Sequence, residues 1–291
     1  MTEAVVPPTQ FDVNQRLSIL IHAGSKLGKS TLSGTAPKPI LVLDAEGSWR
    51  FIPVRQVHWD PQTGPPPTYD GSWDACIVSV QRWETIDQVY QWITQYQTPF
   101  VTVVLDSITE LQRRLKRNLV GTEAMKIADW GVLLSKMDDK IRGFRDLTLM
   151  PQINVRCVVF IAETRQRNSD NKWVPYMQGQ ITTALPYWVD VCGYMYPDWE
   201  RDANNQPTRE VRRVWISPHP EYEAGERVQG RLGQYVTIEK PPVGTSGDDI
   251  TRWMQTIFGV TTPAVTVESH NGSTPVEPVD DTGSDNTSEG I

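Results

Sequence analysis

The chain has no run of apolar residues approaching the 18 or so that a membrane-spanning helix requires, so neither such a helix nor a membrane partner is expected. Residues 1–15 have neither the basic start nor the apolar stretch of a secretory leader. Cysteine is scarce: Cys76, Cys157 and Cys192 are odd in number, far apart and set in apolar runs. That pattern excludes a disulfide framework and a thiolate metal site, and it fits buried thiols in a reducing cytoplasm. The four histidines, His22, His58, His219 and His270, form no triad and no metal pair. Nor is there an excess of base. A net charge of −7 removes the global basic footprint of many nucleic-acid-binding proteins.

The acid is unevenly placed. Residues 260–291 carry Glu268, Glu277, Asp280, Asp281, Asp285 and Glu289, with no Lys or Arg. The same stretch is rich in Thr, Ser, Pro and Gly, so it reads as a disordered acidic tail. Residues 1–16 are polar, hold Pro7-Pro8, and read as a short arm. Between them, residues 17–259 form the expected core, a length that suits one large domain. Within it, apolar runs at 17–22, 40–43, 76–80, 101–105, 157–162, 189–196 and 212–217 read as strands. Helical spacing appears at 84–96, after Asp106 to Leu119, and at 124–145. Continuous apolar strands alternating with helices predict an α/β fold with a mainly parallel central sheet flanked by helices.

The most informative stretch is Ala23-Gly24-Ser25-Lys26-Leu27-Gly28-Lys29-Ser30. It reads A-x-x-x-x-G-K-S, a phosphate-binding loop of the Walker A type. An apolar strand precedes it, and Thr31-Leu32-Ser33 can continue a helix, which is the context the motif requires. Small residues let backbone N–H groups face phosphates, where a helix start favours negative charge. Lys29 can reach the β- and γ-phosphates of ATP, and the Ser30 hydroxyl can ligate Mg²⁺. Ala stands at the first position in place of the usual Gly. About 75 residues on, Asp106 ends an apolar strand. A carboxylate there, the Walker B position, can hold Mg²⁺ opposite Ser30. Asp44 and Glu46 end the strand after the phosphate loop, on the edge where α/β sheets place ligands. Glu46 could orient and deprotonate the attacking water, or Asp44-Ala45-Glu46-Gly47 is a polar turn.

These residues carry a family resemblance. Leu43-Asp44-Ala45-Glu46 resembles the D-A-E segment that bears the catalytic glutamate of RecA recombinases, and Val104-Leu105-Asp106-Ser107 resembles their Walker B strand. The layout over residues 17–242 is similar to the phage-encoded minimal RecA-like ATPases of the single-strand annealing and recombination group. Lys38-Pro39-Ile40, Leu185-Pro186 before Asp190, and Gly230-Arg231-Leu232-Gly233 add to the likeness. The resemblance implies a RecA-like P-loop NTPase fold and DNA-stimulated, Mg²⁺-dependent ATP hydrolysis. It also implies single-stranded DNA as partner in recombination, annealing or repair, a single-strand-binding protein as candidate partner, and a homo-oligomer in the host cytoplasm.

In such folds the strand at 157–162 ends in a γ-phosphate sensor, and the loop beyond it contacts single-stranded DNA. Thr164 or Gln166 is the matching sensor. Arg165, Arg167 and Lys172 interleave with Trp173 and Tyr176, a mixture that tracks phosphates and stacks bases; a solvated hairpin with Trp173 packed on the domain is the alternative. Arg113, Arg114, Lys116 and Arg117 form a second basic cluster, either a DNA surface or a solvated helix face. Arg227 or Arg231 could reach a neighbouring subunit's γ-phosphate as an arginine finger. Trp49 or Phe51 could cover an adenine, or both are packing residues. Two alternatives of another class stand beside hydrolysis: an ATP-gated annealing or loading module with little turnover, and a small-molecule P-loop kinase. A helicase loader or packaging motor is disfavoured, because Ser107 follows Asp106 where those carry a second glutamate.

Overall fold

Six apolar segments and the short strand Gln56–His58 form the parallel part of one sheet, and their order places the site. The computed structural model describes residues 15–238 and 247–259. β1 (Leu17–Ala23) lies between β6 (Cys157–Gln166) and β8 (Val191–Arg201), parallel to both. Beyond β6 come β5 (Thr102–Asp106), β2 (Ile40–Asp44), β4 (Ala75–Ser79) and β3 (Gln56–His58), all parallel. On the other side β9 (Pro207–Trp215) and β11 (Tyr235–Ile238) extend the sheet in antiparallel fashion. Two short strands pair off this path: β7 (Trp173–Pro175) with β6, and β10 (Gly225–Glu226) with β8. The architecture is an α/β sheet of mostly parallel strands flanked by helices, as expected.

Every residue of β1, β2 and β5 is buried, because helices cover both faces. One face packs α2 (Trp83–Gln95), α3 (Ile108–Val120), α4 (Ile127–Asp146) and α5 (Ile181–Trp188). Ile86, Val89 and Ile93 of α2, Leu111 and Leu115 of α3, and Met137, Ile141 and Phe144 of α4 recur at helical spacing in one cluster with Leu43, Leu105 and Phe160. The other face packs α1 (Lys29–Ser33) and α6 (Asp249–Phe258). There Leu32, Ile250, Trp253, Met254 and Ile257 meet Ile19, Ile21, Val42 and Val159. All three cysteines are buried and unpaired.

Some expectations shift. Arg16 belongs to the folded body and not to the expected arm, because its guanidinium donates to the carbonyls of Leu147, Met150 and Pro151. The expected strand at 212–217 begins earlier, at Pro207. α5 and α6 were not foreseen. The rest of the arm and the acidic tail lie outside the described residues. Among the described residues no helix is long and apolar enough to cross a membrane.

Candidate active site

Register sets the site. Asp44 pairs with Asp106 across β2 and β5, and Ala23 pairs with Glu163 across β1 and β6. The loop 24–28, Glu46, Asp106 and Glu163 thus share the C-terminal edge of the parallel strands, where such sheets bind ligands. β1 ends at Ala23, and α1 starts at Lys29. Gly28, the residue before it, has φ +96°, a left-handed conformation that glycine adopts without steric cost. Ser25 and Lys26 are exposed at the tip, and Leu27 packs partly onto the core beneath. Thr31 follows in the helix.

The Lys29 ammonium folds over this loop, donating to Gly24 O at 2.8 Å and Ala23 O at 3.3 Å. Burial lowers its pKa, while the nearby charges of Glu46, Asp106 and Glu163 act the other way. An ammonium held by carbonyls at the end of a soft stem is placed to exchange them for phosphate oxygens.

Asp106 is buried and accepts from the Trp49 indole at 2.9 Å and the Ser48 hydroxyl at 3.5 Å. Ser48 in turn lies 3.3 Å from the Ser30 hydroxyl. Burial pushes the Asp106 carboxyl up to about 6. Ser30 counters this, Glu46 adds to it, the Trp49 indole counters it, and Asp44 adds a smaller increment. A buried carboxylate facing other carboxylates favours a bound cation. Ser30 and Asp106 offer the hard oxygen ligands that suit Mg²⁺, which takes few protein ligands and completes its shell with water and substrate phosphates. No cluster of three or more His, Cys, Asp or Glu able to hold a metal occurs among the described residues.

Asp44 and Glu46 differ in role. Asp44 is buried, and its carboxylate accepts from the backbone N–H groups of Glu46, Gly47, Ser48 and Trp49, so it builds the turn. Glu46 is exposed and accepts a short hydrogen bond from the Ser107 hydroxyl. Ser107 also caps α3, accepting from Glu110 N at 3.2 Å. The peptide between Asp106 and Ser107 is cis. Arg114 donates to Ala45 O and to Gln81, holding the turn from the outside. Trp49 is fully buried on Asp106 and packs rather than covering a base, whereas Phe51 is exposed beneath Arg50.

The far side of the site holds residues that sequence reasoning passed over. Glu163 receives a bidentate pair from Arg113 at 2.6 and 2.7 Å. Thr164, one of two expected sensors, sits 3.1 Å from His22 Nδ1 and donates to Val174 O. His22 is buried and reaches Glu223 O through Nε2 at 2.7 Å; desolvation lowers its pKa to about 4. Gln166, the other expected sensor, donates its amide to Asn171 O inside the hairpin turn. It serves the hairpin and not the phosphate edge, because β6 runs on past the site to pair with β7. Only the residue type of Glu163, at the end of an apolar strand beside the loop, could have signalled its place.

The β6–β7 hairpin is ordered by its own charges. Arg167 forms a fork on Asp170, with Nε at 2.9 Å from Oδ1, and Lys172 pairs with Glu223 at 3.5 Å. Arg165 is exposed and lies over the Tyr176 ring at 5.1 Å. Trp173 is half-buried, its backbone bridged to Glu221 and Glu223. In the second basic cluster, Arg113 and Arg114 hold the site, and Lys116 lies over Trp130 at 5.8 Å. Arg117 is exposed. Arg227 donates to Tyr187 O beside Asp190, which binds Ser18 at the start of β1, the opposite edge from the loop. Arg231 donates to Ile257 O at the end of α6.

A phosphate loop between a buried central strand and a helix, with two acids at the neighbouring strand ends, defines an α/β P-loop NTPase. A family model described as an AAA domain matches residues 15–228, and the chain belongs to that family, an AAA-type P-loop ATPase domain. No curated protein matches the chain. Among solved structures it is similar to a prototypical ATPase from the type III secretion system of pathogenic bacteria, at 14% identity and a TM-score of 0.40. That match covers 62% of this chain and 52% of the other, so the chain spans about half the length of that relative.

Proposed function

We propose that this protein hydrolyses ATP with Mg²⁺ at the loop between β1 and α1, and couples the reaction to single-stranded DNA. The observation that carries the hydrolysis is the meeting of Lys29, Ser30, Glu46 and Asp106 at one sheet edge, with Glu46 the exposed carboxylate among them. Backbone N–H groups of residues 24–28 and the Lys29 ammonium hold the β- and γ-phosphates. Ser30 and Asp106 would hold Mg²⁺, which supplies charge neutralisation on the phosphate oxygens when bound. Glu46, steered by the Ser107 hydroxyl, accepts a proton from water as the water oxygen bonds to the γ-phosphorus. The bond from that phosphorus to the bridging oxygen breaks, and ADP carries the electron pair away. Thr164, next to Glu163 at the end of β6 and joined to His22, would report on the phosphate.

The DNA half rests on connectivity and on the RecA-like resemblance. One strand, β6, carries Glu163 and Thr164 at the phosphate edge and then Arg165 in the hairpin. Movement at the γ-phosphate would therefore reach the proposed DNA contacts, Arg165 and Trp173, without leaving the strand. Recombination, annealing or repair is the setting the resemblance implies, with several copies assembling on one strand. Phosphate release measured with single-stranded DNA, double-stranded DNA, RNA and no nucleic acid tests the reading. Stimulation by single strands is expected. Equal rates in all four would sink the DNA half, and transfer of phosphate to a small acceptor would replace hydrolysis with a kinase reaction.

A further inference from the structure

The antiparallel arm brings an arginine onto the phosphate loop. β8 pairs with β1 as far as Met195, opposite Ala23, and then runs on to Arg201. The β8–β9 hairpin therefore projects past the edge where the site lies. Along β9, side chains alternate. Val214, with Ile216 just beyond the strand, enters the cluster beneath α1 and α6, and Arg212, two residues nearer the hairpin tip than Val214, comes out over the loop. A Cβ placed on Gly28 would lie 2.3 Å from Arg212 Nη1 and 3.3 Å from its Cζ. The guanidinium thus rests directly on the last glycine of the phosphate loop.

Its neighbours make the contrast. Arg209 pairs with Glu200 at 2.8 Å, and Arg213 pairs with Asp198 and lies over Tyr235. Arg212 is exposed and has no hydrogen-bond or ion-pair partner among the described residues. An unpaired guanidinium laid against backbone that presents N–H groups lacks an anion. Its planar fork matches phosphate oxygens two at a time. Arg227 and Arg231, expected to reach a neighbour's site, are instead engaged with carbonyls of their own chain.

We propose that Arg212 binds the phosphates of the nucleotide in its own subunit, closing the β8–β9 arm onto the loop. This rests on the ATP reading above. Arg212 would supply within one chain the positive charge that an arginine finger otherwise brings across an interface. The arm then becomes a part of the site that responds to whether phosphate is bound.

The test uses the full chain with Arg212→Ala, Arg212→Lys and Lys29→Ala, measuring affinity for ATP and ADP by fluorescence titration and turnover by phosphate release. Arg212→Ala should lower kcat/KM for ATP about 10²-fold or more, with Arg212→Lys recovering part of the loss. An equimolar mixture of Arg212→Ala and Lys29→Ala proteins should stay inactive, since each chain needs both residues. Wild-type affinity and turnover in Arg212→Ala, while Lys29→Ala is dead, would overturn the proposal and leave the ATP reading standing. Activity restored in the mixture would overturn it too, by placing the arginine across an interface. A wild-type protein that binds no ATP overturns both.

Discussion

Two residues apart, two carboxylates divide the work of one turn. Asp44 gathers four backbone N–H groups, and Glu46 is left facing outward with a single hydroxyl on it. Replacing Asp44 with Ala should therefore act on architecture: four backbone N–H groups, that of Trp49 buried, lose a charged acceptor, which costs about 1.5–3 kcal/mol. Thermal unfolding should show that loss and turnover should fall with it. Glu46→Gln should leave the melting temperature nearly unchanged. The D-A-E pattern was legible in the sequence, but this division was not, because both acids have the same chemistry until burial separates them.

His22 gives a residue-scale prediction about acid. Its pKa is about 4 in the folded protein against about 6.5 for an exposed histidine, because burial disfavours the charged ring. Between those values the unfolded chain binds the extra proton, so stability is present above pH 6.5 and is lost as pH falls through 4. The loss should be about 3 kcal/mol across that window at ~1.4 kcal/mol per unit. The Asp106 carboxyl, pushed up to about 6, acts with the opposite sign over much of this window, so the His22 contribution is read as a difference between proteins. Between pH 7 and 4 the melting temperature of His22→Gln should fall less, or rise more, than that of the wild type; parallel curves for the two proteins would show that His22 does not carry the effect.

At the scale of elements, the β6–β7 hairpin carries the clearest revision. Its composition promised three free cations, but Asp170 and Glu223 neutralise two of them. The sequence shows Asp170 beside Arg167, yet nothing local reveals Glu223, which arrives from 51 residues beyond Lys172. Arg165→Ala should thus weaken single-strand binding and lower the salt slope by about one, while Lys172→Ala moves affinity less. Trp173→Ala should cost about 1–3 kcal/mol of binding if the ring stacks on a base. Titrations at several salt concentrations check all three; wild-type binding in Arg165→Ala would remove the hairpin from the interface.

The same scale explains what was and was not readable elsewhere. The central parallel strands were legible because they are buried on both faces and are apolar almost throughout, whereas the short edge strand Gln56–His58, only partly buried, was not. α6 has its apolar residues at 250, 253, 254 and 257, a helical signal that short length concealed. α5 contains Pro186, which argues against a helix until the packing of Ile181 and Leu185 is seen. Arg212 was invisible for a different reason. Its meaning comes from the register of an antiparallel arm, and sequence spacing does not fix register.

For the whole molecule, charge and catalysis meet. Residues 260–291 hold six acidic side chains and no Lys or Arg, so nearly all of the net charge of −7 lies outside the catalytic core. If the core binds single-stranded DNA as proposed, acid on the same chain competes with the phosphates at low salt. Deleting 260–291 should raise single-strand affinity at low ionic strength and leave the core's melting temperature unchanged. Equal affinity for both lengths would assign the segment to solubility or to another partner.

The central claim is that one edge of the sheet binds ATP through Lys29 and hydrolyses it through Glu46. The most direct measurement is single-turnover phosphate release with Mg²⁺ and ATP, with ATP affinity measured on the same preparations of wild type, Lys29→Ala and Glu46→Gln. Lys29→Ala should bind weakly and not turn over, and Glu46→Gln should bind ATP normally but release phosphate about 10²-fold more slowly or worse. Wild-type phosphate release from Glu46→Gln, or undiminished release from Lys29→Ala, would contradict it.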